Sequence, residues 1–375
     1  MSGSTPQTDT RRIAYFVTPH GYGHASRAAA VMAGLLELDA SIRFEIFTQV
    51  PAWFFESSLG ETFGYHPLLT DIGLAQKTAL VEDVPETMRR LDTFLPFDGA
   101  KIKQVASWLN QVDCQLVLCD IAPMGIVVAR EVGIPSVLIE NFTWDWIYEE
   151  YVSDDGRMKR HVAYLAEIFN EADYRIQTEP ICRQRPADLT TAPVSRRSRT
   201  SRRQIRKALG IPEQAKAVLV TMGGTTWRYP LLRNLADRAG VFFIVPGADG
   251  KQGHGDGRVK THDNLVLLPH HSHFFHPDLV NASDAAIGKV GYSTVAEVYW
   301  SGVPFGYVAR RKFRESAPLV RYIGDALPAL AITEAQIEDG SWMSLLPDLL
   351  VLPRVSRQGS NGADEVARFI VNLLR

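Results

Sequence analysis

The sequence predicts an α/β protein of two doubly wound domains, and three observations carry that prediction. At 375 residues the chain is too long for one ordinary core. Short apolar runs alternate with longer helical patterns along its length, as in parallel sheets covered by helices. The alternation breaks once, between about residues 183 and 204, where Pro186, Pro193 and a dense set of arginines show no apolar periodicity. The expected domains are therefore residues 1–195 and residues 196–375.

In order, the first series has expected strands at Ile13–Thr18 and Phe44–Thr48, with a helix over Ala25–Leu38 between them. A long helical and irregular stretch follows to Asn110. Further strands are expected at Leu116–Cys119, Ser136–Glu140 and Asp173–Gln177. The arginine-rich segment reads as a solvated linker running into a helix that closes at Gly210 and Pro212. An anion site is the other reading of those arginines. The second series has expected strands beginning at Ala217, Phe242, Leu265, Ala285 and Phe305. Ligands of such sheets bind beyond the carboxyl ends of the strands, so the loops there are where chemistry is sought.

Composition narrows the function classes. Apolar residues are 46% and charged residues 22% of the chain, a globular balance. A net charge of -2 gives no sign of a nucleic-acid binder. Cys114, Cys119 and Cys182 lack metal-type spacing and fit a reducing, cytoplasmic setting. The first residues, MSGSTPQTDT, carry no apolar stretch of a signal peptide. No run of about eighteen apolar residues predicts a transmembrane helix.

The first strand runs into TPHGYGHASR, where Gly21 and Gly23 allow a tight turn and close approach by a ligand. His24 sits where strand hands over to helix. It admits two readings, a general base or a brace for the loop. Asp120, after another strand, either orients His24 or caps the following helix. In VLVTMGGTTWR, Gly223, Gly224 and Thr225 offer amides and a hydroxyl to phosphate oxygens, although a turn needs such glycines anyway. The segment AIGKVGYSTVAE is the most informative. Lys289 and Gly291 precede a helix start with Ser293 and Thr294, and Glu297 follows one turn later. A cation and a helix N-terminus suit a bound anion, and Glu297 can accept from two vicinal hydroxyls of a ribose. Taken singly, Ser293 reads as an N-cap and Glu297 as a first-turn acid.

GKVGYSTVAE resembles the donor-binding motif of the GT-B glycosyltransferases, both plant secondary-product enzymes and the bacterial N-acetylglucosaminyltransferase that completes lipid II. The resemblance implies two Rossmann-like domains facing a central cleft, with the acceptor side in residues 1–195 and the nucleotide-sugar donor side in residues 196–375. Lys289 stands where the plant enzymes carry a histidine. Arg314, Glu315 and Ser316 lie, loosely, near the pair that reads sugar hydroxyls. FVTPHGYGHASR, ENFTWDWIYEEYV, RRKFRESAPLVRYI and GSNGADEVARFI make the chain more narrowly similar to the amino-terminal glycosyltransferase-like half of L-arabinokinases and their bacterial stand-alone relatives. No glycine-serine-rich ATP loop is found, which argues against a sugar kinase.

The superfamily pattern implies His24 as the base and Asp120 as its support. It implies transfer of a hexosyl or N-acetylhexosaminyl group from a UDP-linked donor to an unnamed acceptor, inverting and without a metal or other cofactor. A nucleotide-sugar epimerase or hydrolase, or a non-catalytic nucleotide-sugar-binding protein, are the alternatives of the same fold. The block Trp144, Trp146, Tyr148 and Tyr151 reads equally as a stacking surface or as core. His270, His271, His273 and His276 lack the carboxylate or cysteine partners of a zinc site, so no metal is expected.

Overall fold

The computed structural model describes residues 10–78, 80–222, 240–247, 260–262, 264–269 and 271–375. Gly223, Gly224, Thr225 and His270 lie outside these residues. Strands β1 (Arg12–Val17), β2 (Arg43–Thr48), β3 (Phe63–Pro67), β4 (Cys114–Asp120), β5 (Ser136–Glu140), β6 (Tyr174–Thr178) and β7 (Leu189–Thr191) form the first sheet. Its order is β3-β2-β1-β4-β5-β6-β7, parallel throughout. Alternate side chains of β1 enter opposite cores. Ala14 and Phe16 pack on one face, while Ile13, Tyr15 and Val17 pack on the other. Burial on both faces is why the strand reads as an unbroken apolar run.

The second sheet contains β8 (Lys216–Thr221), β9 (Val241–Pro246), β10 (Lys260–His262), β11 (Leu265–Leu268), β12 (Ala285–Lys289), β13 (Phe305–Val308) and β14 (Ala329–Ala331). Its order is β10-β11-β9-β8-β12-β13-β14. All neighbours are parallel except β10, which runs antiparallel to β11. Each sheet reverses its strand order at one place, between β1 and β4 in the first and between β8 and β12 in the second. A crevice opens at such a reversal, beyond the carboxyl ends of the strands.

Four strands escaped the sequence reading: β3, β7, β10 and β14. All four are sheet edges. Three have only three residues and β3 is half-buried, so none carries the apolar run that marks an inner strand.

The last helix, Gly362–Leu373, crosses the expected division at residue 196 and packs on α1 (Tyr22–Leu38). Ala363, Val366, Ala367 and Ile370 complete one core of the first sheet. Gly34 allows this close approach, since a Cβ there would meet Ala367 Cβ at 3.3 Å. The chain therefore passes between the sheets twice. Asn361 joins the two passages, accepting from Ser195 N at 3.2 Å and donating to Ser195 O at 2.8 Å.

Candidate active site

The first site grows from the strand reversal between β1 and β4. Gly21 ends the loop after β1 with φ 71, a left-handed conformation that glycine adopts without a steric penalty, and caps α1. This places His24 in the first turn of α1. Asp120 is the last residue of β4, paired in register with Val17. His24 Nδ1 lies 2.9 Å from Asp120 Oδ1. Asp120 is not a helix cap: the helix Pro123–Val132 is capped by Ala122 without a side-chain bond. Ile121, between them, holds φ 41, an unfavourable left-handed conformation for a β-branched residue.

Arg27, one turn further along α1 and fully buried, grips the same aspartate. Its Nε donates to Asp120 Oδ2 at 2.8 Å and its Nη2 to Oδ1 at 2.7 Å. Its Nη1 donates to Asn141 Oδ1 at 2.7 Å, and its guanidinium stands over the Tyr292 ring. Burial pushes the Asp120 pKa up, but the Arg27 charge, the Arg27 hydrogen bonds and the His24 ring outweigh it and hold the carboxyl below its ordinary value. With Nδ1–H donated to this carboxylate, Nε2 is the ring nitrogen left to accept a proton. His24 lines a cavity of about 360 Å³.

His20 borders the same cavity. Leu74 N donates to its Nδ1 at 3.3 Å, so its proton resides on Nε2. Burial first, then the charges of Arg310, His24 and Lys289, keep its pKa well below the usual value, so the ring is neutral.

The second sheet brings its own reversal to this cavity. β12 ends at Lys289, and Gly291 caps the helix Tyr292–Ser301. Ser293 is therefore not the N-cap; it and Thr294 occupy the first turn, whose amides have no partner within the helix. A Cβ on Gly23 would stand 3.4 Å from Ser293 Oγ, so the N-termini of this helix and α1 face each other. Burial, reinforced by Arg310 and opposed by Glu315 and Glu82, brings the Lys289 pKa down to about 7.

Ser293 and Thr294 also line a second cavity, of about 400 Å³, which contains Glu297. Glu297 is buried and doubly engaged. Arg196 Nη2 donates to Oε1 at 3.0 Å, and His276 Nδ1 lies 2.6 Å from Oε2. Burial raises its pKa, but His276 and Arg196 together hold it below the ordinary carboxylate value. Arg196 and Arg199 line this cavity, which corrects the reading of their segment as a solvated linker. Arg196 is buried and Arg199 exposed, and both guanidinia stand over the Phe275 ring. Trp53, on α2 (Ala52–Leu59), stacks on His271 at 4.6 Å and joins the two halves at the rim. His271 and His276 thus go to different partners. Among the described residues no three His, Cys, Asp or Glu side chains gather where a metal ion could sit.

Glu315 lines the His24 cavity and accepts from Asn141 Nδ2 at 3.0 Å, across the cleft. Arg314, grouped with it as a donor residue, instead stacks on Trp146 and donates to Glu149 Oε2 at 2.7 Å. It is drawn outward to that carboxylate and braces the interface, and it borders neither cavity described above. Trp144, Tyr148 and Tyr151 are buried in the first core, and Tyr151 donates to Lys312 O across the cleft. The sequence reading missed Arg27, Asn141, Arg196 and Arg310. Arg27 had a signal, lying three residues after His24 on the same helix face. Asn141 also follows a strand, whereas Arg310 and Arg196 had no such pattern.

Two Rossmann-like sheets whose reversals face each other across a cleft define the GT-B architecture. The chain has the GT-B fold, and comparisons with known proteins agree with this. The glycotransferase of kitacinnamycin aligns with a TM-score of 0.64 and 17% identity over 97% of this chain and 99% of that one. Medicago truncatula UGT71G1, solved with UDP-glucose, aligns with a TM-score of 0.59 and 14% identity over 98% and 99%. In sequence, the chain is 28% identical to L-arabinokinase of Arabidopsis thaliana over 366 residues, 96% of this chain but only 34% of that protein. It is 23% identical over 293 residues to an uncharacterized glycosyltransferase of Methanopyrus kandleri, covering 70% of this chain and 76% of that one. No family model matches the chain.

Proposed function

We propose that the protein transfers a hexosyl or N-acetylhexosaminyl group from a UDP-sugar to a hydroxyl acceptor, with inversion and without a metal. The observation that carries this reading is the bond between His24 Nδ1 and Asp120, which leaves Nε2 in a cavity floored by a helix N-terminus. In this reading the nucleoside occupies the larger cavity, with its ribose on Glu297. The diphosphate lies at Ser293 and Thr294, which border both cavities. Gly223, Gly224 and Thr225, next in sequence after β8, are taken as further donor contacts in this reading.

The sugar then projects toward His24. Nε2 takes the acceptor proton as the acceptor oxygen bonds to the anomeric carbon, while the bond from that carbon to the diphosphate oxygen breaks on the opposite face. Lys289 and the helix amides balance the leaving charge. Asp120 holds the imidazole and stabilises its protonated form. Incubation with UDP-sugars, with and without a panel of hydroxyl acceptors, tests the reading. Acceptor-dependent release of UDP supports transfer. Equal donor conversion without acceptor would overturn transfer in favour of hydrolysis or epimerisation.

A further inference from the structure

Arg310 is a guanidinium placed without its full set of partners. It follows β13, is only 4% exposed, and borders the His24 cavity. Its plane lies on the Phe313 ring, with the guanidinium carbon 3.6 Å from the ring centroid. Its Nε and Nη1 have no hydrogen-bond partner. Its Nη2 stands 3.7 Å from Glu315 Oε2, an ion-pair distance but too long for a hydrogen bond. Buried donors left in this state are expensive, which points to a group that arrives with the substrate.

The neighbouring charges indicate what kind of group. Lys289 borders the same cavity, and the Arg310 charge disfavours the charged form of Lys289. Two carboxylates act on both, Glu315 and Glu82. Glu315 is already held by Asn141, and neither carboxylate reaches Nε or Nη1 of Arg310. A hydroxyl would satisfy a donor but leave the repulsion between the cations. A carboxylate would do both.

Building on the donor-site reading, we propose that the His24 cavity takes a substrate bearing a carboxylate, and that Arg310 recognises it. The carboxylate belongs to the transferred sugar, as a uronic acid, or to the acceptor. The diphosphate is served by the helix N-terminus between the cavities, with Lys289 beside it, and not by Arg310.

Calorimetry separates the sources. One arm compares UDP-glucuronate with UDP-glucose, and UDP alone is measured beside them. The other compares D-glucuronate with D-glucose, each with and without UDP. In at least one arm the acidic probe is expected to bind roughly ten- to a hundredfold more tightly than its neutral counterpart. The donor arm showing this assigns the carboxylate to the sugar, and the second arm assigns it to the acceptor. Arg310→Met is expected to abolish the preference and leave UDP alone unaffected. Absence of preference in both arms overturns the proposal, and so does a preference that survives Arg310→Met. A loss for UDP alone as large as that for UDP-glucuronate also overturns it, because Arg310 would then serve the diphosphate. If no nucleotide binds at all, the donor reading fails, while the D-glucuronate arm without UDP still decides the role of Arg310. If Arg310→Met does not fold, Arg310→Lys replaces it and must lose more affinity for the acidic probe than for the neutral one.

Discussion

Arg27 holds both carboxylate oxygens of Asp120, so the aspartate that orients His24 is already paired with a buried cation before any substrate arrives. A lone buried aspartate would stabilise a protonated imidazole strongly. Shared with Arg27, the same carboxylate is balanced within the site and still holds the ring in one orientation.

Replacing His24 by Ala is expected to lower turnover by about 10² to 10⁴ with donor affinity nearly unchanged, since the base acts on the transition state. Asp120→Asn should show a smaller loss, and the double variant little more than His24→Ala. Initial rates at saturating donor check this. Fully additive losses would mean that the two side chains work apart.

Arg27→Met leaves Asp120 as a buried charge without its main partner, and is expected to destabilise the fold by about 3–5 kcal/mol. The native pH dependence follows from the same pair. The folded Asp120 titrates below its ordinary 3.8, so its stabilisation is complete above that value and drains away as pH falls below it. Urea unfolding between pH 2 and 7 should show this acid limb in the native protein and a flatter one in Asp120→Asn.

Glu297→Ala should weaken UDP binding by about 1.5–3 kcal/mol through loss of the ribose contact. The structure adds that Arg196 and His276 would then lose their shared anion. Glu297→Gln keeps the shape and serves as the control for packing. Calorimetry showing native affinity in both variants would remove Glu297 from the donor site.

Lys289, with its pKa down at about 7, is only partly charged in the free protein at neutral pH. A bound diphosphate raises that pKa, so binding should take up a proton. UDP affinity is expected to fall as pH rises from 7 to 9, by at most about tenfold per pH unit. Lys289→Met should flatten the profile. Proton uptake shows as a dependence of the binding heat on the buffer.

Turnover is expected to survive EDTA, because helix amides and Lys289 can meet the leaving charge without a divalent ion. Loss of activity on chelation, restored by manganese, would refute this.

The inner strands and the loops after them were legible because burial on both faces writes an apolar run into the sequence and ligand loops follow such runs. His24 and Asp120 were found in that way, 96 residues apart and in contact. Edge strands left no such mark. The partners of charged residues were also hidden: nothing local in the sequence ties Arg196 to Glu297, or Asn141 to Glu315, since each contact depends on how the two sheets face each other. Arg314 shows the converse, a plausible donor residue that found Glu149 instead.

The paired passages at Ser195 and Asn361 set the kind of motion left to the cleft. A single connecting strand would let one half swivel freely on the other. Two chain segments tied side by side would act as a door hinge, which bends about one line and resists twisting. Any bending about that line would keep the N-terminus of α1 on one path opposite Ser293.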